Sequence, residues 1–292
     1  MEHAEKEIQA LIALLDDSDS EVVDHVAKRL FSYGPQVISK LEDAYASIPD
    51  ALTQERIESI IHHIQLASVE KDLQSWIAQD SDNLLKGLLI ISRHQYPEMD
   101  EAAVTGQIHK IQKDIWLGLN HYLSPLEQMN VVNQVLFNQW NMLGINDIAQ
   151  DLKYSYIHNA LSSNKGNHFT LGLLYLILCQ KLDMPVYGVC LSSHFILTRT
   201  KEYILDFTDT ESLRESVLFY INPFNKGLVF GEKEISAYLN KVDIPEEEKF
   251  FLPASNIAVL REYVCWLQKL FYKPADKWKA DDLEILKKIL AV

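Results

Sequence analysis

The chain has 292 residues, 48% of them hydrophobic and 23% charged, and a formal net charge of −14. That composition is ordinary for globular protein and excludes disordered and fibrous classes. The acidic excess argues against nucleic acid or an anionic membrane as partner, and the length asks for more than one core.

The first half reads as helical. Ile8, Leu11, Ile12, Leu14 and Leu15 form one apolar stripe, broken by Asp16-Asp17-Ser18-Asp19-Ser20. Val22, Val23, Val26, Ala27, Leu30 and Phe31 form a second stripe that Gly34-Pro35 ends, so a hairpin is predicted, with Ser18 or Ser20 as cap. A second hairpin runs through Val37, Ile38 and Leu41, then Leu52 to Ile64; a third through Val69 to Ile77, then Leu84 to Ile91. Breaks at Asp17, Pro49 and Asp80 give the spacing of a helical solenoid. Each hairpin has more apolar face than it can bury alone. The resulting concave arm predicts a protein or peptide partner, with Tyr33, Tyr45 and Trp76 as anchors or as core. His62-His63 is expected on exposed helix surface.

Two longer helices follow. Glu101 to Tyr122 places Val104, Ile108, Ile111, Ile115, Trp116 and Leu119 on one side. Ser124-Pro125-Leu126-Glu127 spells a capping box, with proline in the first turn. Its stripe of Met129, Val132, Val135, Leu136 and Trp140 should meet the central helix, and Asn133, Asn138 and Asn141 read as solvated or cap-bonding amides. From Asn164 a glycine-bearing turn feeds a strongly apolar helix, Phe169 to Leu182, stopped by Asp183-Met184-Pro185. Four β-type runs are predicted at Val186–Cys190, His194–Arg199, Tyr203–Phe207 and Val217–Ile221, ahead of a turn at Asn222 to Gly227. From about Pro245, segments at Ile257 to Phe271 and Asp281 to Leu290, joined through Lys273-Pro274, make a last hairpin.

The pieces Gly166-Asn167 through Leu171, Leu182 to Gly188, His194-Phe195 and Asn222 to Gly227 resemble the SirB-type branch of the transglutaminase-like superfamily, over roughly residues 125 to 240. The resemblance implies a papain-like site: a cysteine at the start of a buried helix, a histidine on a following strand and an acid or amide on the next. Those positions fall on Thr170, His194 and Asn222. The branch usually reads G-N-P-I-S-L, whereas this chain has His168 in place of proline and Thr170 in place of serine. It also has Asn222 where D-P-F is commoner. The first hairpin resembles a HEAT repeat. The expected class is therefore α+β and predominantly helical: HEAT-like repeats over 1–99, a transglutaminase-like helix-plus-antiparallel-sheet module with its leading helices over 100–244, and a C-terminal helical cap over 245–292.

Each candidate has two readings. Thr170 is a nucleophile or a capping hydroxyl; His194 is a general base or a satisfied structural histidine; Asn222 orients His194 or makes a turn. Asp206 is a second candidate acid. Cys190, four residues before His194, is a second candidate nucleophile; the Ser192-Ser193 step between them disturbs strand register. Cys179 reads as packing, and Cys179, Cys190 and Cys265 together suggest reduced thiols in a cytoplasmic protein. No metal or cofactor motif is present, and the longest apolar run is too short to span a bilayer. Hydroxyls need strong activation where thiols do not. The expected function is that of a pseudoenzyme, a non-catalytic interaction or scaffold protein; the alternative is a weak acyl-transfer or amide-hydrolysing enzyme using Thr170, His194 and Asn222.

Overall fold

The computed structural model describes residues 2–146, 152–191, 194–273 and 276–291; Ser192, Ser193 and Pro274, named above, lie outside them. It opens with α1 (Glu2–Ala13), α2 (Ser20–Tyr33), α3 (Ile38–Ser47), α4 (Ala51–Gln79) and α5 (Leu84–Arg93). The cap of α2 is the Asp19 carboxylate, which accepts the Glu21 N–H at 2.9 Å, rather than Ser18 or Ser20.

Helix α4 corrects the hairpin count. The segments predicted to belong to separate hairpins, up to Ile64 and from Val69, are one continuous helix of 29 residues. No glycine or proline interrupts Ala51 to Gln79. Its buried residues form two stripes: Ile57, Ile60 and Ile64 enter a core with α1–α3, whereas Leu66, Val69, Leu73 and Trp76 enter a second, larger core. At ~100° per residue the two stripes lie about 160° apart, on nearly opposite faces of one helix. Trp76 is buried, its indole N–H donating to the Asn83 carbonyl at 2.9 Å, and Tyr33 and Tyr45 pack half-buried against the first core. Trp76 is therefore core, and the two tyrosines lie at the edge of the first core.

The second core is built on α9. Before it come α6 (Glu101–Gly118), α7 (Pro125–Asn133), a π-helical turn at Gln134–Gln139, β1 (Leu143–Gly144), α8 (Ile157–Ser163) and β2 (Lys165–Gly166), then α9 itself (His168–Lys181). Helix α6 ends short of Tyr122, and Trp116 is 65% exposed instead of facing the core. The capping box of α7 forms as predicted, Ser124 and Glu127 each bonding the other's backbone N–H. Every residue from Phe169 to Cys179 is buried, so α9 has no polar face and must be covered all round. Asp183 closes it in the left-handed region, φ 53°.

The sheet that covers one side of α9 is antiparallel, in the order β3 (Val186–Leu191), β4 (His194–Thr200), β5 (Val217–Asn222), β6 (Leu228–Phe230). Between β4 and β5 lies α10 (Thr210–Ser216), and after the sheet come α11 (Glu232–Lys241), α12 (Asn256–Leu270) and α13 (Lys277–Ile289). Alternation along the strands sends Phe195, Leu197 and Ile221 toward α9, and Val189, Leu191, Ile196 and Tyr220 toward Ile235 and Leu239 of α11. The predicted strand at Tyr203–Phe207 is a loop: Ile204 N–H donates to the Tyr187 hydroxyl and Tyr203 Oη to the Asp183 carbonyl, so side chains take the place of a ladder. The fourth strand is β6 instead. Gly172 of α9 and Gly188 of β3 both press on Phe195, where an added Cβ would lie 2.4 and 2.8 Å from its ring. Their bare backbones let helix and strand close on that ring. The chain is thus α+β and mostly helical, ending in the α12–α13 hairpin.

Candidate functional site

Asn167 fixes the start of α9. Its Oδ1 accepts the Thr170 N–H at 3.0 Å and the Thr170 hydroxyl at 3.1 Å, while its Nδ2 donates to Ser155 Oγ at 3.1 Å. Thr170 is 1% exposed. Its hydroxyl proton therefore points into the cap of its own helix, and no approaching carbonyl can reach the oxygen.

His194 begins β4 with its ring at the sheet's rim. Its Nδ1 pairs with the Tyr238 hydroxyl of α11 at 2.6 Å, the rings meeting edge to face at 5.0 Å. Partial withdrawal from water holds its pKa below the ordinary imidazole value. Asn222 ends β5 one pair beyond Leu197–Ile221, on the face that carries His194. Its Oδ1 accepts from Asn225 N–H at 3.2 Å, so the side chain shapes the turn. Among the described residues no hydrogen bond joins Thr170 to His194 or His194 to Asn222. Both His194 and Asn222 nevertheless line one cavity of about 200 Å³, walled by Leu191, Ile196, Leu228 and Phe230. This cavity lies between the sheet and α11, on the side away from α9.

Asp206 is exposed in the 201–209 loop, accepting from Thr208 N–H at 2.8 Å, and is not among the residues that line the cavity beside His194. Cys190 faces α12, in a crevice that His194 borders. Burial, then the charge of Glu262, pushes its thiol far up, so it holds almost no thiolate near neutral pH. Asn133 does more than its predicted solvated role: Nδ2 donates to the Gly227 carbonyl at 3.0 Å and Oδ1 accepts the Tyr175 hydroxyl at 3.0 Å, pinning the 222–227 turn to α7 and α9.

Two residues of the site were missed. His168, noted only as a departure from proline, packs its ring 5.3 Å from His194 and edge-on to Trp266 at 5.4 Å. Its Nε2 is buried without a hydrogen-bond partner. Burial, and then the neighbouring His194, lower its pKa to about 4, so it is uncharged at neutral pH. Tyr238 lies 44 residues from His194 in an ordinary amphipathic helix, and nothing in its spacing marks it. His62 is likewise not free surface: Asp282 Oδ2 accepts from Nε2 of His62 at 2.6 Å and of His94 at 3.0 Å. Among the described residues no group of His, Cys, Asp and Glu is arranged to hold a metal ion.

A buried helix whose capped N-terminus meets a histidine at the mouth of an antiparallel sheet defines the papain-like class of folds. Residues 102–264, more than half of the chain, match the transglutaminase-like superfamily, and the chain belongs to it. It is similar to the UPF0162 protein of Vibrio cholerae, 23% identical over 160 residues, covering 55% of this chain and 54% of the relative. The UPF0162 protein of Xylella fastidiosa is 25% identical over 118 residues, 39% of this chain and 41% of its own. That of Buchnera aphidicola is 20% identical over 183 residues, 62% and 63%. The matches thus span about half the length of these curated relatives. No solved structure matches the chain.

Proposed function

We propose that this protein is a transglutaminase-like pseudoenzyme of the SirB-type branch that acts by binding a protein or peptide partner in the cytoplasm. The observation that carries this is Thr170. At the position of the family's nucleophile stands a hydroxyl 1% exposed and committed to Asn167. Papain-like chemistry needs a nucleophile that an imidazole can deprotonate at hydrogen-bond distance. Here the imidazole of His194 is engaged with Tyr238, and His168 is half-buried and uncharged at neutral pH. The cavity beside His194, about 200 Å³, is below the roughly 300–1,000 Å³ of small-molecule sites. No described helix is long and apolar enough to cross a membrane.

In this reading the helices of 1–99 form a HEAT-like arm, 100–244 the degenerate module and 245–292 its cap. The test is turnover. The purified chain is incubated with a glutamine-containing peptide and an amine donor, and separately with peptide amides and an activated ester. We expect the same background with the wild type, Thr170→Ala and His194→Ala. Transfer or hydrolysis by the wild type that stops in Thr170→Ala overturns the reading in favour of acyl chemistry through Thr170.

A further inference from the structure

Strand β3 and helix α12 meet at closer range than a side chain at position 188 would allow. The Ala254 N–H donates to the Gly188 carbonyl at 2.8 Å, and a Cβ at Gly188 would lie 2.6 Å from Val259 Cγ2. Two residues further along the same strand face, Cys190 is set against the following turns of α12, where Glu262, Cys265 and Trp266 stand. Cys190 and Cys265 line one crevice with His194, and its free volume is only about 10 Å³. That is room for about one water molecule, not for a peptide carbonyl. Both thiols are free and half-buried; Cys179, the third, is wholly buried in α9.

We infer that Cys190 and Cys265 are a redox-responsive pair that closes to an intramolecular disulfide under hydrogen peroxide, tying β3 to α12 beside His194. The inference goes beyond the proposed non-catalytic function and does not depend on it. Disulfide geometry needs Cα atoms roughly 4.4–6.8 Å apart, and the glycine contact just upstream draws strand and helix together. Cys265 is the thiol that reacts first. Burial and Glu262 raise its pKa, but Lys287, Arg261 and Lys269 act the other way, whereas Cys190 is pushed up further. The Cys265 thiolate attacks the peroxide, the O–O bond breaks, and a sulfenic acid forms as water leaves. The Cys190 sulfur then attacks that sulfur; the S–O bond breaks and the second water leaves. Two thiols are oxidised to one disulfide and one peroxide is reduced to two waters. Raised thiol pKa values keep the pair reduced at rest and make closure slow.

The experiment treats the full-length chain with hydrogen peroxide, alkylates it in denaturant, counts thiols and maps peptides without reduction. Three free thiols should fall to one, with a linked Cys190–Cys265 peptide that Cys179→Ser keeps and that Cys190→Ser and Cys265→Ser each lose. Three thiols persisting overturns the inference. So does Cys265 oxidised to the sulfinic acid with no linked peptide, or a link that joins two chains or uses Cys179.

Discussion

His168 makes the stability of this fold depend on pH in a direction that can be worked out from its surroundings. The side chain sits in the first turn of α9 among Phe169, Trp266 and His194, and its Nε2 has no partner. In the unfolded chain its pKa is the ordinary 6.5; in the fold, burial first and then His194 bring it to about 4. As pH falls below 6.5 the unfolded chain takes up a proton that the folded chain refuses, so stability is lost down to about pH 4 and the loss is constant below that. A gap of that size is worth about 3 kcal/mol at ~1.4 kcal/mol per unit. His168→Phe keeps an aromatic ring for Trp266 and Phe169 and removes the titrating group. Urea unfolding of both proteins from about pH 7.5 to about pH 4 gives the difference, in which groups common to both cancel. The variant should equal or exceed the wild type at neutral pH, where it removes an unpaired polar atom, and should gain about 3 kcal/mol on it by pH 4. Curves that stay parallel within about 0.5 kcal/mol would refute the burial of a neutral imidazole here.

Two further outcomes are expected. Asp282→Asn removes the charge that holds His62 and His94. It should cost about 2–4 kcal/mol at neutral pH by urea unfolding. Burial would raise the Asp282 pKa, but hydrogen bonds from the two histidines outweigh it, so the contribution is present above the usual carboxylate range and fades as pH falls through the lowered value. Gly172→Ala places a methyl 2.4 Å from Phe195 Cδ1 and should cost about 1–3 kcal/mol, with loss of near-ultraviolet circular dichroism from the Phe169–Phe195 stack; an unchanged spectrum and stability would contradict the packing.

What the sequence disclosed was local. The Ser124–Glu127 box, the stop at Asp183-Met184-Pro185, and the two strands β3 and β4 are decided by residues within a few positions of one another, and all form. Misreadings came where distant partners decide. Tyr203–Phe207 has strand-forming residues, but its backbone is claimed by the Tyr187 hydroxyl, while β6, three residues long, is too short to show a pattern. The stripe in α4 changes face at Ile64–Leu66, which mimics a break when each stripe is read by itself. For Thr170 and Asn222 the sequence left two readings each, and the structure shows the capping and the turn bonds; the engagement of His194 was not legible, because its partner Tyr238 comes from a helix after the sheet.

The two faces of α4 also join the N-terminal helices to the rest of the fold. No linker separates the N-terminal helices from the larger core, since one uninterrupted helix supplies buried residues to both. His62, on the N-terminal half of that helix, and His94, just past α5, share the Asp282 carboxylate of α13. Trp278 adds an edge contact to His62 at 4.7 Å. Helices α2 and α3 pack on α4, α4 packs on α13, and α12, the partner of α13, borders Cys190 and carries Trp266 against His168. Cutting the chain at about residue 95 would strip α4 and α5 from the larger core and uncover Leu260, which packs at Gly87 of α5; partner mapping on this fold calls for surface substitutions on α1–α3 in the intact chain.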